Sequence, residues 1–224
     1  MAGVLNQEAG YVFIHVPKCA GMSIMSALTR SEHSTQFGAL PGLQEIIARE
    51  NAVSRETVYV AGHARARDIR TWLGADAYEQ LLSFAVVRNP WERLQSLYHF
   101  FQAHKGTPEY RFARGLFDDF VVWYCEHRRN TMLERLTDQS GKVIVDRILR
   151  FESLAADFAA LSRDLGLNIN TLPRRNASAN LRESTPTPSG IVELVQQTYR
   201  EDFRVFGYSP KPPMLGCYPA VSRY

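Results

Sequence analysis

The sequence predicts an α/β fold in which a mainly parallel central sheet is flanked by helices. Three observations carry that prediction. Short, apolar, β-favouring runs recur at Tyr11–Val16, Thr57–Ala61 and Ser83–Val87. Each run is closed by a turn signal: Pro17 after the first, Gly62-His63 after the second, Arg88-Asn89-Pro90 after the third. Helical spacing of apolar residues then follows, the order expected when crossover helices join parallel strands.

Taken in order, Tyr11–Val16 reads as a buried strand, and Ile24, Ala27 and Leu28 mark the helix after its loop. Leu43–Glu50 reads as a short helix and Thr57–Ala61 as a second buried strand. Asp68–Leu82 has helical character interrupted near Gly74, and Ser83–Val87 is a third strand. Asn89 suits the N-cap of the next helix and Pro90 its first position. Trp91, Leu94, Leu97, Tyr98 and Phe101 form one apolar face of that helix. Leu116–Tyr124 reads as another buried helix, and Val143–Phe151 contains a strand followed by the stripe Leu154, Phe158, Leu161 and Leu165. Pro173–Ser189 reads as a loop, and Ile191, Leu194, Val195, Tyr199, Phe203 and Phe206 as one last helix ending near Gly207. Four prolines in Ser209–Tyr224 predict an irregular tail. There is no internal repeat. A single domain over 1–224, with its core at about 11–208, accounts for the whole chain.

Composition narrows the function classes. Of 224 residues, 45% are hydrophobic and 22% charged, which excludes disorder as the dominant state. The net charge of +3, from 26 Lys and Arg against 23 Asp and Glu, comes without a dense basic run and so argues against a nucleic-acid partner. Cys19, Cys125 and Cys217 lie far apart, without metal or redox spacing, as suits a reducing compartment. No stretch approaches the ~18 apolar residues needed to span a bilayer, and no basic segment followed by an apolar run opens the chain. The expectation is a cytoplasmic protein without a membrane span.

The loop Pro17-Lys18-Cys19-Ala20-Gly21-Met22-Ser23 carries the clearest chemistry. A loop that leaves a buried strand and opens a helix aims free backbone N–H groups at whatever lies beyond it, and the helix dipole favours an anion there. Gly21 permits close backbone approach, Lys18 adds a mobile positive charge, and Ser23 offers a hydroxyl donor. The same segment also suits an ordinary strand-to-helix turn with a surface lysine. It is not a Walker A loop, whose lysine comes late, in GxxxxGK[ST]. No apolar strand ends in an aspartate placed to hold magnesium, which weakens a kinase or nucleotide hydrolase.

Phe13–Ile24 as a whole resembles the 5′-phosphosulfate loop of the membrane-type, carbohydrate (family 2-like) sulfotransferases, whose bacterial members are often soluble. That resemblance implies a sulfotransferase fold with a P-loop-type central parallel sheet. It also implies 3′-phosphoadenosine 5′-phosphosulfate (PAPS) as sulfuryl donor, adenosine 3′,5′-bisphosphate as product, and no required metal. The loop residues Pro17, Lys18, Cys19, Ala20, Gly21, Met22 and Ser23 become donor-binding candidates. The family more often has threonine where this chain has Cys19 and Met22, so secondary phosphate contacts are lost there.

A second segment, Phe84–Tyr98, resembles the same family's 3′-phosphate element. There the arginine after the strand and the serine eight residues later bind the donor's 3′-phosphate, which implies that role for Arg88 and Ser96. At ~100° per residue Ser96 lies off the apolar face of Leu94, Leu97 and Phe101. The alternative is a solvated Ser96 and an Arg88 paired with a carboxylate. Downstream, Leu149–Leu154 and Tyr199–Tyr208 resemble structural segments of the family, and Pro173–Ser178 sits where a family loop covers the nucleotide. This makes Arg174 or Arg175 a candidate for the 3′-phosphate.

A hydroxyl attacking sulfur needs a base close by. Of the six histidines, His15 falls inside a strand, His99 and His104 ride on a helix, His127 sits among charges, and His33 lies in a polar loop. His63 follows a strand and Gly62, and its segment resembles one in which a histidine is often proposed as base. The rivals are a carboxylate, Glu32 or Asp68, and a purely positional role for His63. Arg65 and Arg67 suit either an anionic acceptor or a solvated helix start. The resemblance implies a hydroxyl-bearing acceptor, with a carbohydrate or glycoconjugate favoured, sulfated by in-line displacement with Lys18 and His63 as catalytic residues. Two readings compete: a P-loop kinase or hydrolase, and a catalytically silent protein that keeps the nucleotide pocket.

Overall fold

A computed structural model of the chain describes residues 3–28, 35–36, 64–167, 169, 172–173 and 187–213. The expected helix at 43–50, the strand at 57–61, and Glu32, His33, His63, Arg174 and Arg175 lie outside the described residues. The chain forms two compact units, one made of 1–88 with 130–176 and the other of 89–129 with 177–224.

The first unit holds a five-stranded sheet in the order β3-β1-β2-β4-β5. Its strands are β1 (Gly3–Asn6), β2 (Tyr11–Ile14), β3 (Thr35–Gln36), β4 (Leu82–Val87) and β5 (Arg147–Arg150). Strands β2, β4 and β5 run parallel, as the apolar runs predict. The sheet as a whole is mixed, because β1 pairs antiparallel with both β2 and β3. β1 escapes sequence reading because four residues show no useful periodicity. Its turn is nevertheless encoded: Asn6 Oδ1 accepts from the Ala9 N–H at 2.8 Å, and Gly10 takes φ 67°. Tyr11, Phe13 and Phe84 are fully buried, each ring worth about 1.5–3 kcal/mol of burial. The Phe13 and Phe84 centroids are 5.2 Å apart.

Helices flank the sheet. α1 (Gly21–Leu28) packs beside β1. The helical character after residue 64 resolves into α2 (Ala66–Leu73) and α3 (Ala75–Glu79), split at Gly74 with φ 87°. Asp146, just before β5, ties the strand starts together. Its carboxylate accepts from the Ser83 N–H at 2.8 Å and the Ser83 hydroxyl at 2.6 Å.

The second unit is helical: α4 (Pro90–Ala103), α5 (Tyr110–Ala113) and α6 (Phe117–His127). Asn89 caps α4, its Oδ1 accepting from the Trp91 N–H at 3.0 Å, a contact worth roughly 1 kcal/mol. The face of Trp91, Leu94, Leu97, Tyr98 and Phe101 is buried as the spacing predicts, and the Tyr98 hydroxyl donates to the Gly115 carbonyl at 2.7 Å. Back in the first unit, α7 (Leu133–Leu136) packs against α2, and α8 (Leu154–Asp164) follows β5 and packs on it. The expected last helix is two: α9 (Ser189–Thr198) and α10 (Arg200–Val205), broken where Tyr199 adopts φ −107°, ψ 21°. The apolar spacing continues through that break because both pieces bury the same kind of face, so periodicity alone misses it. Among the described residues no helix is long and apolar enough to cross a membrane.

Candidate active site

Parallel pairing puts the carboxyl ends of β2, β4 and β5 on one edge of the sheet, where open α/β sheets bind ligands. Register sets what emerges there. Ile14 pairs with Ala85, and Val87 with Arg150. The loop of Lys18 therefore leaves from β2, Arg88 from β4, and Phe151 from β5.

The backbone of the first loop is unusual. Lys18 and Ala20 take φ 67° and 59°, and Cys19 between them does not. Each left-handed non-glycine residue costs roughly 1–2 kcal/mol. Alternation of this kind curls successive N–H groups toward one point, a concavity that suits an anion. The Cys19 N–H reaches the Val16 carbonyl at 3.4 Å, and Ser23 N–H donates to the Ala20 carbonyl at 2.9 Å. Among the described residues the N–H groups of Ala20, Gly21 and Met22 have no acceptor. These three stand at the N-terminus of α1, where the helix dipole adds positive potential.

Gly21 is required here for space. A Cβ on it would overlap the His15 imidazole. That ring is buried and stacks on Phe13 at 6.2 Å and 25°, so His15 is a floor of the loop. Cys19 is also buried, its thiol directed at the Pro17 carbonyl (3.7 Å) and Met132 Sδ (3.8 Å), so its side chain turns inward. Ser23 is buried and Met22 half-buried.

Two cations meet at this edge. Lys18 is half-buried and its ammonium is pushed down to about 8, first by burial and then by the positive charge of Arg88. Arg88 is half-buried, its N–H donating to Met132 Sδ at 3.4 Å and its guanidinium carbon lying 4.0 Å from the Phe151 ring centroid. Like charges held together, beside amides that have no acceptor among the described residues, are an arrangement that suits a multiply charged anion.

The sulfotransferase family model matches residues 4–209. The chain belongs to the sulfotransferase family. Both the Lys18 loop and Arg88 fall within the matched span. No curated protein and no solved structure matches the chain.

The remaining candidates fall as follows. Ser96 lies within α4 of the second unit, 7% exposed, with no hydrogen-bond partner for its hydroxyl among the described residues. Arg65 is neither solvated nor available to an acceptor. It is 5% exposed, and its guanidinium donates to both oxygens of the fully buried Asp68 at 3.0–3.3 Å. Asp68 also accepts from the Arg65 N–H at 2.8 Å, which makes it a structural cap of α2. Arg67 differs: its Nε is buried with no hydrogen-bond partner among the described residues. His104 and His127 place Nδ1 at 2.6 and 2.9 Å from the Phe100 and Trp123 carbonyls, and His99 faces Gln102. Sequence reasoning misses Met132, which touches both Cys19 and Arg88, since a lone methionine in a polar stretch carries no signal. Phe151 offers one, being the first residue after a parallel strand, like Arg88.

Proposed function

We propose that this sulfotransferase moves a sulfuryl group from PAPS to an acceptor hydroxyl. The observation that carries the reading is the left-handed loop, with three amides that have no acceptor among the described residues, beside Lys18 and Arg88. These donors fit the 5′-phosphosulfate of such a nucleotide, which supplies an activated sulfuryl group on a phosphate leaving group. The amides of Ala20, Gly21 and Met22 and the Lys18 ammonium bind its oxygens and stabilise the charge that builds on the departing 5′-phosphate. Arg88 binds the 3′-phosphate, the role that the resemblance also gives to Ser96 and to Arg174 or Arg175. His63 takes the proton as the acceptor oxygen bonds to sulfur and the sulfur–phosphate oxygen bond breaks, leaving adenosine 3′,5′-bisphosphate. None of these side chains needs a metal for the transfer.

The acceptor we propose is a carbohydrate or glycoconjugate hydroxyl, following the resemblance. The Nε of Arg67, buried with no hydrogen-bond partner among the described residues, supports an acceptor bearing a carboxylate or sulfate, since such a donor is unfavourable to leave unmade. A cytoplasmic setting is supported by the sparse, widely spaced cysteines Cys19, Cys125 and Cys217, which suit a reducing compartment. The test is incubation of cell extract with the protein and ³⁵S-labelled PAPS. Labelled products by mass spectrometry, with equimolar adenosine 3′,5′-bisphosphate, are expected. Nucleotide binding without label transfer to any extract component would sink the enzymatic reading and leave a silent binding protein.

A further inference from the structure

The pairing of Val87 with Arg150 sets the next residues of the two strands, Arg88 and Phe151, side by side. The Arg88 guanidinium carbon then rests 4.0 Å from the centre of the Phe151 ring. An aromatic face holds a guanidinium through cation–π attraction at its plane, and leaves hydrogen bonding to the edge of that plane. On the backbone side of the same arginine, the N–H donates to Met132 Sδ at 3.4 Å. The same sulfur receives the Cys19 thiol at 3.8 Å. Met132 is fully buried, so it cannot move away without opening a void. One thioether thus joins the Lys18 loop to the end of β4.

We propose that Phe151 and Met132 are positioning residues of the donor site, Phe151 orienting the Arg88 guanidinium and Met132 fixing the spacing between Arg88 and the phosphosulfate loop. This rests on the PAPS reading above. The two residues have separable effects. Phe151 acts only on the arginine assigned to the 3′-phosphate. Met132 acts on both anion sites at once, because it touches a residue of each. Cys19 enters the same device: its buried thiol holds the loop from behind, against the Met132 sulfur.

The experiment measures calorimetric affinities of adenosine 3′,5′-bisphosphate and adenosine 5′-monophosphate for the wild-type chain and for Phe151→Leu, Phe151→Tyr and Met132→Leu. The ratio of the two dissociation constants isolates the 3′-phosphate. Phe151→Leu is expected to cut that ratio about 5- to 10-fold, the scale of one partly desolvated cation–π contact, while leaving monophosphate affinity unchanged. Phe151→Tyr keeps the face and should keep the ratio. Met132→Leu should weaken both ligands by a similar factor, about 3- to 10-fold, with the ratio within about twofold of wild type. An unchanged ratio in Phe151→Leu, or an equal fall in Phe151→Tyr, overturns the role of Phe151. Unaltered affinities in Met132→Leu overturn that of Met132. Wild-type protein that binds neither nucleotide instead overturns the PAPS reading itself.

Discussion

Lys18 should make donor binding depend on pH just above neutrality. Its ammonium is pushed down to about 8 in the free protein by burial and by Arg88, against an ordinary value of 10.5. A bound polyanion adds opposite charge that outweighs both causes, so the protonated form is the one that binds. At pH 7 about nine molecules in ten carry that proton, and at pH 9 about one in eleven. Affinity for adenosine 3′,5′-bisphosphate should therefore fall about tenfold between those values. The nucleotide contributes little to the change, since the second ionisation of its phosphates, near pH 6, is largely complete by about pH 7. Binding at pH 8.5 should take up about three quarters of a proton, readable by calorimetry in buffers of different ionisation heat. Stability of the free chain moves the opposite way. The folded value is depressed, so the unfolded chain binds more protons between about pH 8 and 10.5, and the fold gains up to about 3 kcal/mol as pH rises through that window. Lys18→Arg, which keeps its charge throughout, should flatten the affinity profile. A flat wild-type profile from pH 7 to 9.5, without proton uptake, would refute the assignment of Lys18 to the anion site.

Other outcomes follow from the same geometry. Lys18→Ala should lower turnover at least ~100-fold, the scale of one lost transition-state charge partner, in a labelled-sulfate transfer assay. Gly21→Ala forces a methyl group into the His15 ring, and should abolish bisphosphate binding by calorimetry while removing about 1–3 kcal/mol of stability in denaturant unfolding. His63→Gln should reduce turnover ~100- to 10,000-fold and leave bisphosphate affinity intact, which separates a proton acceptor from a binding residue. Asp68→Asn strands the buried Arg65 charge and should cost about 3–5 kcal/mol in thermal unfolding, with nucleotide affinity per folded molecule unchanged.

Much of the sheet edge that carries Lys18 and Arg88 is legible in the order of residues alone. Tyr11–Ile14 and Leu82–Val87 fall within β-favouring runs that end at turn residues, and Arg147–Arg150 falls within the strand expected in Val143–Phe151. Asn89 and Pro90 start α4 where capping chemistry puts them. What stays hidden depends on contacts far apart in sequence. Cys19 and Met132 are 113 residues apart, and only folding joins their sulfurs. The left-handed turns at Lys18 and Ala20 are equally silent, because neither residue type favours positive φ and tertiary packing imposes it. Arg65 reads equally as a contact for an anionic acceptor or as a solvated helix start, since residue type alone says nothing about its burial against Asp68. Tyr199 hides a helix break because a continuous apolar stripe is compatible with one helix or two.

If the Lys18 loop and Arg88 receive a nucleotide with phosphate at both ends of its ribose, the chain must prefer that pattern over a triphosphate. Calorimetric titration of the intact chain with adenosine 3′,5′-bisphosphate, set against ATP with magnesium, tests this most directly. Saturable 1:1 binding of the bisphosphate is predicted, at least about tenfold tighter than ATP, or about 1.4 kcal/mol. Tighter binding of magnesium–ATP, or no binding of the bisphosphate, would contradict it.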